Sequence, residues 1–364
     1  MSFGKIIKKL RREREMTQEQ LAETLSISPQ AVSRWETDMA MPDISLIAPL
    51  CSLFNVTSDE LLEIDLTKKQ KSIESICEEA EKYSNRGYLE DARTILENGL
   101  KKYPDSIDLV YQLMYLSFWQ HNDTGDSKYL DESIKCGEEI LKRSSDEDQR
   151  QGAIQILCYV YRNAGRIDEA EKLAMSMPLM CESRECLLSA IYSGNKAYEA
   201  KQNEIYSLFQ ILSNSLFSLQ TKLDSGEWSY TQEEYAEPRD KRIALIELFF
   251  ENGDFGFYHT QLCDTYREQA FYYAKRNDYE KALKHLKSAA EHAIKFITSV
   301  NEERTSLVFR KMKKGTWVTS DSDNEAQNLL DKMADSIFDE IRTTEEFVGI
   351  EEQLSEYSGK WSIE

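Results

Sequence analysis

Thr17-Gln18-Glu19-Gln20-Leu21-Ala22, followed by Ile27-Ser28-Pro29-Gln30-Ala31-Val32-Ser33-Arg34-Trp35-Glu36, decides how this chain begins. Thr17 with Gln20 three residues on is a capping box, which starts a helix. Leu21, Ala22 and Leu25 form the inward face of that helix. Ser28 is a second N-cap with Pro29 at the first helical position, so a new helix opens after a short turn. Val32 and Trp35 share its inward face, which makes Trp35 a core residue rather than a stacking platform. Upstream, Phe3, Ile6, Ile7 and Leu10 recur at helical spacing. Downstream, Asp43 caps a fourth helix, which Pro49 must kink or shorten, and Thr57 or Ser58 caps a fifth that ends near Ile64.

These blocks, with Leu10-Arg11, Pro42-Asp43 and Asp59-Glu60-Leu61-Leu62, resemble the Cro/lambda-repressor (XRE) type of helix-turn-helix over residues 3–64. In such a motif the first residues of the second helix reach base edges in the major groove. Here those are Pro29, Gln30, Ser33 and Arg34. Gln30 suits adenine and Arg34 suits guanine O6 and N7. The resemblance implies phosphate contacts at Gln18 and Ser28. It also implies that Arg11, which in its basic run reads alone as a DNA contact, pairs with Glu36 inside the domain. Relatives often carry glycine at the positions of Glu15 and Ser26, where helices end with positive φ. Each non-glycine residue held in that conformation costs about 1 kcal/mol.

Downstream of a low-hydrophobicity segment at 65–72, read as a linker or a helical hinge, an internal repeat emerges. Tyr83…Gly87-Tyr-Leu89…Ala92 returns as Tyr161…Gly165-Arg-Ile167…Ala170 and as Tyr273…Asn277-Asp-Tyr279…Ala282. A small residue lies three before each tyrosine: Ala80, Cys158 and Ala270. Gly or Asn takes the left-handed turn that ends a first helix. The later alanine lets a second helix approach closely. The pattern resembles tetratricopeptide repeats, with copies at 73–106, 151–184 and 263–296. Degenerate helical pairs are expected at 107–146, 183–223 and 239–257, and a final hairpin at 337–347. The expected fold is all-α: a five-helix lambda-repressor-like domain (1–65), a linker (66–72) and a tetratricopeptide-type α-solenoid (73–357).

Stacked pairs make a superhelix whose concave face is lined by first helices. The repeat phase puts Tyr159, Arg162, Asn163, Arg267 and Phe271 there, as groups able to hold an extended peptide; a solvated groove or a protein-binding surface is the plainer alternative. The stretch 299–322, with Lys311, Lys313, Lys314 and Trp317, interrupts the helices. Its basic cluster is expected to face the acidic scaffold with Trp317 as anchor.

Composition sets limits. The 364 residues carry 45 Lys and Arg against 65 Asp and Glu, a net charge of −20. Residues 1–66 hold 7 basic and 11 acidic side chains, and the remainder 38 and 54, so the acidity belongs mainly to the repeats. Bulk polycation binding to nucleic acid or anionic membrane is excluded, and useful DNA affinity is expected only of a dimer. No segment is apolar enough to span a membrane, and no secretory signal opens the chain. Seven scattered cysteines argue for a reducing compartment. No glycine-rich phosphate loop, metal-ligand spacing or catalytic set stands out, so no cofactor, metal or catalytic residue is assigned, and His285 and His292 read as surface residues. The expectation is a cytoplasmic, bacterial, homodimeric transcriptional regulator. It binds double-stranded DNA, is no enzyme, and senses a short peptide or a protein through its repeats. The rival is a protein-binding repeat scaffold that uses the helix-turn-helix for docking or dimerisation.

Overall fold

The computed structural model describes residues 3–62, 66–299, 304–310, 312 and 318–363. Lys311, Lys313, Lys314 and Trp317, the expected anchor of the 299–322 stretch, lie outside these residues. The described residues are helical with only isolated bridges, and none of their helices is long and apolar enough to cross a membrane. The chain divides into two compact units, Met1–Glu78 and Glu79–Glu364.

In the first unit, α1 (Phe3–Glu13), α2 (Gln18–Thr24), α3 (Pro29–Glu36), α4 (Ile47–Phe54) and α5 (Ser58–Leu61) surround Ile7, Leu21, Val32, Trp35, Leu50 and Leu61. The capping box of Thr17 and Gln20 is present, Ser28 caps α3, and Thr57 with Glu60 makes a second capping box at α5. Asp43 caps a 3-10 turn (Ile44–Leu46), and only then does α4 begin. That break puts Pro49 in the first turn of α4, where its missing N–H has no intrahelical partner to lose. Glu15 and Ser26 adopt φ of 54° and 57°, the left-handed conformation expected there. Gly4 lies against the C-terminal end of α3. Its N–H donates to Asp38 Oδ1 at 2.8 Å, and a side chain there would collide with the Trp35 carbonyl.

α6 (Leu66–Ser84, its first turns in the segment read as a linker) runs from the first unit into the second, where α7 (Leu89–Lys102) follows it. Then come α8 (Ile107–Thr124) with α9 (Ser127–Arg143), α10 (Glu147–Asn163) with α11 (Ile167–Ala174), and α12 (Arg184–Ile191) with α13 (Gly194–Phe217). The left-handed turns fall where the repeat put them: Gly87 at 77°, Gly165 at 74° and Asn277 at 59°. Ala92 and Ala282 are fully buried, as close helix approach requires, while the short α11 buries none of its residues. A polar network ties three helices together. Arg93 Nη2 donates to Glu132 at 2.7 Å and its Nε to Gln120 at 2.8 Å, and Ser117 donates to Glu132 at 2.6 Å.

Two expected pairs differ. Residues 239–257 hold one helix, α14 (Glu237–Phe249), because Gly253 and Gly256 take positive φ and end helical structure. The 337–347 run is a connection rather than a hairpin. A 3-10 turn ends at Phe338, and Arg342 donates to the carbonyls of Met333, Ala334 and Asp335. Thr344 then caps α18 (Glu345–Ser355), so the terminal hairpin is α17 (Glu325–Met333) with α18.

The third repeat copy is α15 (Tyr258–Ala274) with α16 (Tyr279–Ser299), and its seam contains three histidines, two of which, His285 and His292, were expected at the surface. His259 Nδ1 lies 2.8 Å from His292 Nδ1, so one ring donates and the other accepts. His292 stacks on Tyr266 and His285 on Tyr273, which makes both half-buried interior groups rather than surface ones. Burial, with His292 and Lys295 nearby, pushes His259 down to about 3, and burial with Lys295 pushes His292 down to about 4. Both rings are therefore neutral in the fold and charged in the unfolded chain below its pKa of about 6.5. Their contribution is fully present above that value and is lost as pH falls toward 4. These two rings are expected to add uptake of about two protons on unfolding near pH 5, beside the opposing share of buried Glu325, which is pushed up to about 7. His259→Gln/His292→Gln is expected to lower the slope of unfolding free energy against pH by that amount relative to the unsubstituted chain in denaturant titrations across pH 4–7.

Candidate nucleic-acid interface and effector face

Arg11, at 9% exposure, and Glu36, at 7%, form a bidentate pair, with Nε to Oε1 at 2.5 Å and Nη2 to Oε2 at 3.0 Å. Arg11 Nη1 also donates to the Met16 carbonyl at 2.6 Å. One guanidinium thus ties α1, the α1–α2 turn and the last turn of α3. Burial opposes the Glu36 charge, but donation from Arg11 and Gln18 outweighs it and holds the carboxyl below its ordinary range. The hydrogen bond to Glu36 in turn raises the Arg11 guanidinium. The structural role that the resemblance implied for Arg11 is the one the geometry gives.

Gln18 is half-buried and donates through Nε2 to Glu36 Oε2 at 2.8 Å, so its amide N–H is engaged within the domain. Its side-chain carbonyl is an acceptor, and only the remaining amide hydrogen can reach a phosphate. Ser28 Oγ accepts from the Ala31 N–H at 3.2 Å, which leaves its own hydroxyl hydrogen to donate. Pro29, Gln30 and Arg34 are exposed, and Ser33 is half-buried. Gln30 and Arg34 are one turn apart on the same side of α3, so both side chains can reach one patch of a groove floor. Held at a fixed angle by the Arg11–Glu36 pair, α3 presents an exposed N-terminal half of the kind that enters a major groove.

The five groove residues divide into two groups. On α10, Tyr159 is 40% exposed and stacks on Phe118 of α8, with centroids 5.9 Å apart. Arg162 and Asn163 are exposed, and Arg162 Nη2 donates to Asn163 Oδ1 at 3.1 Å. On α15, Arg267 is paired with Asp264 at 2.8 Å, and Phe271 packs edge-on against Phe338 in the core of α15–α18. Those two are occupied in holding the fold, whereas the α10 group faces solvent. Sequence reading missed a second aromatic row, Tyr111, Tyr115 and Trp119. Their i, i+4, i+8 spacing on α8 was the available signal.

Two short helices joined by a tight turn, the second capped and exposed, make the first unit a helix-turn-helix domain. Residues 7–61 match the helix-turn-helix family model HTH_3. The chain is similar to the HTH-type transcriptional activator BcrR of Enterococcus faecalis, 40% identical over 62 residues, 17% of this chain and 30% of BcrR. It is also similar to the HTH-type transcriptional regulator ImmR of Bacillus subtilis strain 168, 37% identical over 70 residues, 19% of this chain and 55% of ImmR. It therefore spans about a third to about half the length of these curated relatives. Among solved structures, PlcR of Bacillus thuringiensis with the peptide PapR7 and DNA aligns at 16% identity and a TM-score of 0.31. That alignment covers 83% of this chain and 99% of PlcR. Apo ComR of Streptococcus vestibularis aligns at 15% identity and a TM-score of 0.27, over 83% of this chain and 93% of ComR.

Proposed function

We propose that the protein is a sequence-specific, cytoplasmic transcriptional regulator. It reads double-stranded DNA with α3 as a homodimer and takes a peptide or protein effector on its repeat unit. The observation that carries the DNA half is the exposed N-terminal half of α3, with Gln30 and Arg34 on one side, in a domain that matches the helix-turn-helix model. Gln30 and Arg34 read bases, Pro29 and Ser33 line the groove, and Gln18 and Ser28 hold phosphates. The net negative charge of residues 1–66 supports dimeric binding, since few phosphates are neutralised per monomer. On the effector side, Tyr159, Arg162 and Asn163 support the reading through their exposure. An effector acts only by binding unequally to two spacings of the DNA-binding domains.

Selection of bound DNA from a random pool, followed by fluorescence anisotropy, tests this. A pseudo-palindromic site is expected, and Arg34→Ala should lose about 10- to 100-fold of the preference for it over scrambled DNA. Equal affinity for both DNAs, unchanged by Arg34→Ala, would leave the protein a repeat scaffold with a docking domain.

A further inference from the structure

A cleft of about 490 Å³ lies between α6 and α8, floored by Ala92 and Leu96 of α7. Tyr111, Tyr115 and Trp119 border it from α8, and Glu81 borders it from α6. The aromatic row is held in place. Tyr111 and Tyr115 meet edge to face at 5.0 Å, and Tyr111 donates its hydroxyl to that of Tyr115 at 3.3 Å. On α10, Gly152 makes room for the Tyr111 hydroxyl, on which any side chain there would land. Glu81 accepts from the Gln112 amide and is exposed at the rim. Among the described residues that line the cleft, which include Val318 and Thr319, Glu81 is the charged one. Arg86, on the turn after α6, donates to the Asn85 carbonyl.

Three aromatic rings and one carboxylate define the chemistry of the occupant. Ring faces carry negative electrostatic potential and attract ammonium and guanidinium groups. An anion would be repelled by Glu81. A neutral apolar group would fill the floor but offer the Glu81 carboxylate neither charge nor donor. Residues 79–364 carry 35 basic and 52 acidic side chains, a net charge of −17, which steers cations toward this unit. We propose that this cleft is a subsite for the cationic side chain, lysine or arginine, of a peptide effector. The guanidinium or ammonium lies among Tyr111, Tyr115 and Trp119 and pairs with Glu81. This deepens the effector half of the proposed function and rests on it.

The test uses the full chain labelled with 5-fluorotryptophan, the Trp119 fluorine resonance being assigned by its loss in Trp119→Phe. Three probes are titrated: acetyl-Ala-Arg-Ala-amide, its uncharged citrulline isostere, and tetramethylammonium. The arginine peptide is expected to shift the Trp119 resonance with about tenfold higher affinity than the citrulline peptide. Glu81→Gln should bring the two within about twofold while the circular dichroism melt is unchanged. Equal affinity of the two peptides, or no shift from any probe, overturns the subsite. A shift from tetramethylammonium alone overturns the assignment to a peptide side chain. The sensor reading is judged separately, by whether any peptide in a random library alters affinity for the selected DNA. A neutral peptide that does so keeps the sensor and, with equal tripeptide affinities, sinks this subsite.

Discussion

Glu36→Ala is expected to destabilise the helix-turn-helix domain by about 3–5 kcal/mol, the largest single-residue effect in the first unit. Its removal leaves the Arg11 guanidinium buried without a counter-charge and frees the Gln18 amide from its acceptor. Arg11→Ala should cost a similar amount. By contrast, Arg11→Met/Glu36→Met is expected to recover most of the loss, because two apolar side chains of similar volume need no charge compensation. Hydrogen exchange read on peptides from 3–62 localises the effect, with exchange on α1 and α3 speeding in the single variants and slowing back in the double. The pH dependence has a definite sign. The folded carboxyl is held below its ordinary value of 4.5, so its stabilisation is complete above that value. It is lost as pH falls through the lower folded value. The double variant should lack this acid-limb loss. DNA affinity in the singles should fall in step with the population of folded domain, and the Gln30 and Arg34 preferences should survive in whatever remains folded.

That pair was legible from the resemblance, and the reason is physical. A buried arginine tying a turn to a helix end needs one partner in one register, and Glu36 occupies it. The left-handed residues were legible too, since helix ends need φ above zero wherever the chain reverses sharply, and Gly87, Gly165, Asn277, Glu15 and Ser26 all adopt it. What eluded sequence reading depended on contacts between distant segments or on a choice among hydrogen-bond partners. Gln18 lies at a helix start that suits a phosphate, yet its amide finds Glu36 first. His259 and His292 sit on facing helices, 33 residues apart, and no single-helix pattern brings them together. Arg267 shares the inner-face phase of its repeat, but Asp264, three residues before it on α15, takes its charge. The expected pair at 239–257 failed because helical periodicity there covers one helix, and Gly253 and Gly256 forbid a second. The aromatic row on α8 went unread because its spacing becomes a cleft only with α6 opposite it.

Gly87→Val should give the largest effect in the second unit, and it separates two roles that the repeat pattern merges. The first is local: φ of 77° costs a β-branched residue about 1–2 kcal/mol. The same turn is also a docking point. The Thr319 N–H donates to the Asn85 carbonyl at 3.1 Å, and Arg86 forms a bridge with Thr319. A side chain on residue 87 would land on the Asp321–Ser322 backbone, which cannot yield as a flexible side chain does. The Ser322 carbonyl accepts from the Trp361 N–H at 2.9 Å, and the Trp361 carbonyl accepts from the Tyr88 hydroxyl at 2.8 Å. Displacing 321–322 therefore loosens the chain near its C-terminal end from the first hairpin. The expected total is about 3–5 kcal/mol, local strain plus overpacking and the lost contacts. Gly165→Val provides the control. Its φ is 74°, but open space surrounds it, so only the local cost of about 1–2 kcal/mol is expected. Denaturant melts of the two variants should differ by about 1–4 kcal/mol. Amides of 85–88 and 319–323 should lose exchange protection in Gly87→Val and keep it in Gly165→Val. Equal losses in the two would mean that the turn acts through its backbone conformation alone and that the 319–322 contact adds nothing to stability.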